Sequence, residues 1–218
     1  MPEIGSSRKI TYHREKLDAY LRGEYIFPAT LELDLTSACN RHCPNCASNT
    51  QLPLCHLPTE IVKRLLASLE GQTRGLILTG GEPTLAPNFS ETLHLARQAG
   101  FEELAVVTNG TFLGEEKIAA ALLENTSAVR VSLYDWDAES CAGLDPTLKR
   151  IEALRARIEH HSSPLQIGVS ALTSTENTSI LSAVAEKVRS AGAHWIYFHP
   201  LCISGIRASH RALIKPAS

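Results

Sequence analysis

Residues 75–108 read GLILTGGEPTLAPNFSETLHLARQAGFEELAVVT. The stretch opens on a short apolar run, Gly75 to Thr79, of strand length and composition. It passes through the turn Gly80-Gly81-Glu82-Pro83, and the pattern then predicts a helix from Phe89 to Ala99 closed by Gly100. A second apolar run, Leu104 to Thr108, reads as the next strand. Strand, turn, helix and strand in this order form a βα unit, which joins parallel strands by a right-handed crossover.

The same rhythm extends in both directions. Upstream, Thr30 to Leu35 alternates as a strand, and Ile61, Val62, Leu65, Leu66 and Leu69 share a helical face ahead of Gly71. Downstream come a helix from Glu115 to Leu123 and a strand from Val129 to Tyr134. Asp145 and Pro146 are expected as N-cap and first-turn proline of a helix that turns Leu148, Ile151, Leu154 and Ile158 inward. Leu165 to Leu172 is a fifth strand, Ser179 to Ala191 a helix ended by Gly192, and His194 to His199 a sixth strand. Residues 1–27 read as a lead-in with one short helix from His13 to Leu21, and residues 28–218 as the core. An eight-unit barrel typically needs about 250 residues, so six units in 218 residues imply an α/β partial barrel or an open sheet. Either way, ligands belong at the carboxyl ends of the strands.

Composition narrows the function classes. The chain is 44% hydrophobic and 20% charged, as in an ordinary globular domain. A formal net charge of -2 argues against nucleic acid or an anionic membrane as partner. No apolar run reaches the roughly 20 residues that span a bilayer, and the first residues lack a signal-peptide core. The expected location is therefore cytoplasmic, where the six cysteines are thiols suited to metal binding or catalysis.

Two segments carry the chemistry. Thr36-Ser37-Ala38-Cys39-Asn40-Arg41-His42-Cys43-Pro44-Asn45-Cys46 places three cysteines just past the first strand, where a barrel has its active site. Three thiolates in one loop suit a 4Fe–4S cube with one iron left open, since such a cube normally takes four. The spacing alone equally admits a zinc site completed by Cys55 or His56, or a dithiol redox pair at Cys43 and Cys46. Gly80-Gly81-Glu82-Pro83 ends the second strand. Its glycines let the backbone approach a ligand, and Glu82 offers an acceptor for an ammonium group. Read alone, it is also an ordinary glycine turn.

Together, in this order and on consecutive strand ends, the two segments resemble the radical S-adenosylmethionine superfamily. The resemblance implies a six-unit (β/α)6 partial TIM barrel, a 4Fe–4S cluster on Cys39, Cys43 and Cys46, and S-adenosyl-L-methionine as second cofactor. It implies cofactor contacts at Gly80, Gly81, Glu82 and Pro83, with further ones at Asn109 and Ser132. In the family, reductive cleavage of S-adenosylmethionine gives a 5′-deoxyadenosyl radical that takes a hydrogen atom from substrate. An electron donor such as flavodoxin or ferredoxin is then a partner, besides a small-molecule or peptide substrate. The residue before the third cysteine, usually aromatic in the family, is Asn45 here, which puts an adenine contact there in doubt.

Weaker candidates follow by position. Ile167, Gly168 and Val169 on the fifth strand would flank the adenine or simply fill a buried strand. Cys202, just past the sixth strand, is a candidate hydrogen-atom donor or a buried inert thiol. His199 reads as a structural histidine, and Asp135 and Asp137 either meet a polar substrate or face water. Cys55 and Cys141, widely spaced from the rest, argue against a second cluster. The function classes in view are an enzyme acting on a small molecule or peptide, an activase that installs a radical on a partner protein, and a non-enzymatic zinc-binding module.

Overall fold

In a computed structural model, residues 13–43, 46, 53–134, 143–174 and 176–200 are described. The order is α1 (Arg14–Leu21), β1 (Thr30–Thr36), α2 (Thr59–Leu69), β2 (Gly75–Gly80), α3 (Phe89–Gln98), β3 (Glu103–Thr108), α4 (Glu116–Asn125), β4 (Ala128–Leu133), α5 (Leu144–His160), β5 (Gln166–Thr173), α6 (Leu181–Ser190) and β6 (Trp195–Pro200). The strands form one 6-stranded sheet in the order β1-β2-β3-β4-β5-β6, every neighbour parallel. The sheet is open, with β1 and β6 at its edges, as expected of a (β/α)6 partial TIM barrel.

Parallel register sorts the side chains. Leu78 pairs with Val106, Val106 with Val129 and Val129 with Ile167, so these residues share the face that the helices cover. All of them are fully buried, and they pack with Val62 and Leu66 of α2, Leu93 of α3, Leu122 of α4 and Ile151 and Leu154 of α5. Full burial of each such side chain is worth about 1.5–3 kcal/mol, and this layer is the main source of cohesion. The alternate residues line the inner face: Ala105 and Val107 of β3, Arg130 and Ser132 of β4, Gly168 and Ser170 of β5, Trp195 and Tyr197 of β6.

The helix patterns agree with the sequence reading at Leu148, Ile151, Leu154 and Ile158, all buried. Two details differ. Asp145 is not the N-cap of α5: Leu144 is itself fully buried and drawn into the first turn, so Gly143, at φ 89, becomes the cap and Asp145 a first-turn acid. Ile61, expected on the inward face of α2, is exposed, because Val62, Leu66 and Leu69, with Leu65 beside them, fill the contact with the core. The lead-in helix α1 buries no side chain of its own; Lys16 ties it down, its Nζ donating to the carbonyls of Phe27 at 2.8 Å and Gln72 at 2.6 Å. Among the described residues no helix is long and apolar enough to cross a membrane.

Candidate active site

The carboxyl ends of β1, β2 and β3 converge on the cysteine loop. The register of β1 with β2 slips between Asp34 and Thr36, a bulge that leaves both Leu35 and Thr36 buried. The hydroxyl of Thr36 donates to the Cys55 carbonyl at 3.0 Å and accepts the Ala38 N–H at 2.9 Å. Ser37 is bound on both sides by the returning chain: its N–H donates to the Cys55 carbonyl at 2.9 Å, its hydroxyl donates to the Pro53 carbonyl at 2.9 Å, and it accepts the Cys55 N–H at 2.8 Å. An antiparallel bridge of Thr36 with His56 completes the clamp. Both ends of the cysteine loop are thus fastened to the end of β1 before any metal is considered.

Within the loop, Cys39 and Cys43 are half-buried, Cys46 is exposed, and these and Cys55 are thiols rather than disulfides. The Cys46 N–H donates to the Cys43 carbonyl at 3.2 Å, a tight turn between the last two cysteines. Cys39 Sγ accepts the Arg41 N–H at 3.4 Å and lies 4.0 Å from Asn109 Nδ2. Donors aimed at a sulfur suit a thiolate, and an all-sulfur donor set suits an iron–sulfur cluster. Among the described residues no three His, Cys, Asp or Glu side chains gather to hold a metal ion.

The Gly80-Gly81-Glu82-Pro83 turn is built against this loop. Gly81 N–H donates to the Thr36 carbonyl and Glu82 N–H to the Ala38 carbonyl, each at 2.7 Å. A Cβ at Gly80, where φ is 128, would lie 2.3 Å from the Thr36 carbonyl oxygen, and one at Gly81 would lie 2.3 Å from that of Ala38. The glycines are therefore required by the approach of the cysteine loop, and the amides of Gly81 and Glu82 are spent on it.

Glu82 is 0% exposed, and its carboxylate is filled from within the chain. Oε1 accepts from the Thr84 N–H at 3.2 Å and from the hydroxyls of Thr84 at 2.5 Å and Thr108 at 2.7 Å; Oε2 accepts the Asn109 N–H at 2.7 Å. Pro83 is buried at the start of the single-turn 3-10 helix Pro83–Leu85 that this carboxylate caps. Asn109 links the end of β3 to the cysteine loop: Oδ1 accepts the Thr111 N–H at 2.9 Å, and Nδ2 donates to Asn40 Oδ1 at 2.7 Å.

The sequence reading missed Thr36, Asn40, Thr84 and Thr108 as partners. A signal existed for two of them, because a buried Glu82 needs donors and Thr84 and Thr108-Asn109 stand at its own and the neighbouring strand end.

Farther along the sheet, Ser132 is half-buried on the inner face in register with Ser170, whose hydroxyl is fully buried without a hydrogen-bond partner. Of the three β5 residues expected near the adenine, Ile167 and Val169 lie in the helix-side core instead, because alternation turns them away from the inner face. Gly168 does face inward, but under the Trp195 indole, which a Cβ there would meet at 2.0 Å. Trp195, Tyr197 and His199 form a ladder along β6, with ring centroids 5.0 and 5.8 Å apart. His199, expected as a structural histidine, is half-buried at the end of that ladder. Asn45, Asp135, Asp137, Cys141 and Cys202 lie outside the described residues.

A family model described as the Radical SAM superfamily matches residues 33–161, more than half of the chain. The chain belongs to the Radical SAM superfamily. A probable GTP 3′,8-cyclase of Sulfurisphaera tokodaii is 30% identical over 182 residues, which is 78% of this chain and 56% of that protein. A GTP 3′,8-cyclase of a Synechococcus strain is 36% identical over 118 residues, 51% of this chain and 34% of the relative. The chain thus spans about a third to a little over half of these radical SAM relatives' length. Among solved structures, Streptococcus suis SuiB bound to S-adenosylmethionine superimposes with a TM-score of 0.70 over 95% of this chain and 48% of that one. At 14% identity this likeness speaks for the fold alone.

Proposed function

We propose that this chain is the catalytic core of a radical SAM enzyme, with residues 1–27 as a lead-in and 28–218 as the barrel. Cys39, Cys43 and Cys46 hold a 4Fe–4S cluster and leave one iron open for S-adenosyl-L-methionine. When bound, the two cofactors supply a 5′-deoxyadenosyl radical that removes a hydrogen atom from substrate. The observation that carries the reading is the fastening of the cysteine loop to the ends of β1, β2 and β3 through Thr36, Gly81, Glu82 and Asn109.

The chain's own part is positional. Gly80, Gly81, Glu82, Pro83 and Asn109 build the wall beside the cluster loop, and Ser132 offers a hydroxyl on the inner face of β4. The inner face of the sheet is where substrate is held away from water, as in other barrels that bind at the strand ends. Cys202, one residue pair beyond the end of β6, is the proposed hydrogen-atom donor; unchanged turnover in Cys202→Ala removes it from that role.

The substrate is proposed to be a small molecule or a peptide. Relatives named GTP 3′,8-cyclase support the first, and the SuiB structure with precursor peptide SuiA shows a chain of this fold engaging the second. A flavodoxin or ferredoxin is the proposed electron donor, and the cytoplasm the proposed location.

The test is anaerobic reconstitution with iron and sulfide, reduction with dithionite, and assay for 5′-deoxyadenosine. About four irons per chain, with the product lost in Cys43→Ala, support the proposal. One tightly bound zinc and no cleavage at any iron loading overturn it.

A further inference from the structure

Asn109 was expected to touch S-adenosylmethionine, yet its side chain turns toward the cysteine loop. Its Oδ1 is occupied by the Thr111 N–H at 2.9 Å, which fixes the amide so that the NH2 end faces the loop. One side of that NH2 group meets Asn40 Oδ1 at 2.7 Å, and the other meets Cys39 Sγ at 4.0 Å, within reach of a weak hydrogen bond to sulfur. The backbone N–H of Asn109 is held by Glu82 Oε2 at 2.7 Å, and Glu82 is itself locked by Thr84 and Thr108. The Asn109 backbone is thus anchored by the buried carboxylate, and its side-chain amide is held separately by the Thr111 N–H and Asn40 Oδ1.

We infer that Asn109 is a positioning residue of the cluster: its side-chain amide donates a hydrogen bond to the Cys39 sulfur and sets the reduction potential of the iron–sulfur group. The inference rests on the cluster reading of Cys39, Cys43 and Cys46 proposed above. The physical basis is charge. Reduction adds an electron to the cluster and raises the negative charge on its thiolate sulfurs, so a fixed N–H donor stabilises the reduced form and raises the potential. The Arg41 N–H, at 3.4 Å from the same sulfur, is a second donor of this kind, but it belongs to the cysteine loop and moves with it. Asn109 comes from β3, and through it the second and third strand ends bear on the cluster's electronics.

The experiment uses the full chain, reconstituted anaerobically and labelled with 15N-asparagine. Electron–nuclear double resonance on the reduced cluster after exchange into D2O is expected to show an exchangeable deuteron coupled through an asparagine nitrogen. Asn109→Leu, close in shape and without a donor, is expected to lose that signal and to titrate at a more negative potential, with the wild-type iron content. A wild-type cluster of about four irons with no such coupling, or an Asn109→Leu potential equal to wild type, overturns the inference and leaves the cluster reading standing. If Asn109→Leu takes up no iron, the same comparison of coupling and potential with Asn109→Ala decides. Failure of the wild-type chain to assemble any cluster overturns both.

Discussion

Replacing Glu82 by alanine is expected to destabilise the chain even when no iron or S-adenosylmethionine is bound. The side chain is 0% exposed and receives four hydrogen bonds, from the Thr84 N–H, the Thr84 hydroxyl, the Thr108 hydroxyl and the Asn109 N–H. The two hydroxyls can rotate to other acceptors, but the two backbone N–H groups cannot. Leaving a buried donor unsatisfied costs about 1–3 kcal/mol each, so truncation should cost about 3–5 kcal/mol once the loss of packing is included. With a denaturant slope of roughly 2–3 kcal/mol per molar urea, that is a fall of about 1–2 M in the unfolding midpoint. Glu82→Gln keeps the shape but turns an N–H group toward donors, and about 1–3 kcal/mol is expected. The assay is equilibrium urea unfolding of the iron-free chain, followed by circular dichroism. A side chain whose role is confined to meeting a ligand would cost nothing in that state. An Glu82→Ala midpoint equal to wild type would therefore refute the network as a structural element.

Three further outcomes are expected. Gly81→Ala sets a Cβ 2.3 Å from the backbone oxygen of Ala38, which cannot yield as a flexible side chain would; overpacking of this sort costs about 1–3 kcal/mol, and iron uptake during reconstitution should fall while circular dichroism stays native. Arg97 donates to the carbonyls of Asn125, Phe101 and Glu102 and to the Ser127 hydroxyl, a fan that lysine's single ammonium cannot reproduce, so Arg97→Lys should cost about 1–2 kcal/mol in thermal or urea unfolding. Partial desolvation of the ring, and then the neighbouring Arg155, hold the His194 imidazole below its ordinary value of 6.5, so the neutral form is the one the fold prefers. Its contribution is therefore present above pH 6.5 and lost as pH falls; the urea midpoint should drop from pH 7 toward pH 5, and less steeply in His194→Gln.

The strands and helices were legible because each element carries its own period. The inner and outer faces of β4 follow from Val129, Val131 and Leu133 alternating with Arg130 and Ser132, and the buried stripe of α5 from Leu148, Ile151, Leu154 and Ile158. What alternation cannot supply is the destination of a strand-end donor. Gly80 and Gly81 announce a close approach, but the same glycines serve an approach to a ligand or to the chain itself, and here it is the Thr36 and Ala38 carbonyls that come within contact. The identity of that neighbour depends on the bulge in β1, which has no signature in the sequence TLELDLT. Ile167 and Val169 illustrate the converse: their hydrophobicity was visible, and the phase of β5 relative to β4 decided which face they took.

The internal use of these donors bears on what the proposed cofactor meets at the second strand end. A glycine turn with open N–H groups is a nest for anions, suited to a phosphate or a carboxylate. In this chain the N–H groups of Gly81 and Glu82 are occupied by Thr36 and Ala38, and the Glu82 carboxylate by its four donors. The Glu82 and Pro83 carbonyls are likewise taken, by the N–H groups of Leu85 and Ala86 at 3.0 Å each. A carboxylate of the proposed cofactor would therefore have to find its hydrogen-bond donors outside this turn. Because the turn is held by Glu82 and by the cysteine loop, its shape is set by the chain itself, and little ordering would remain to oppose binding.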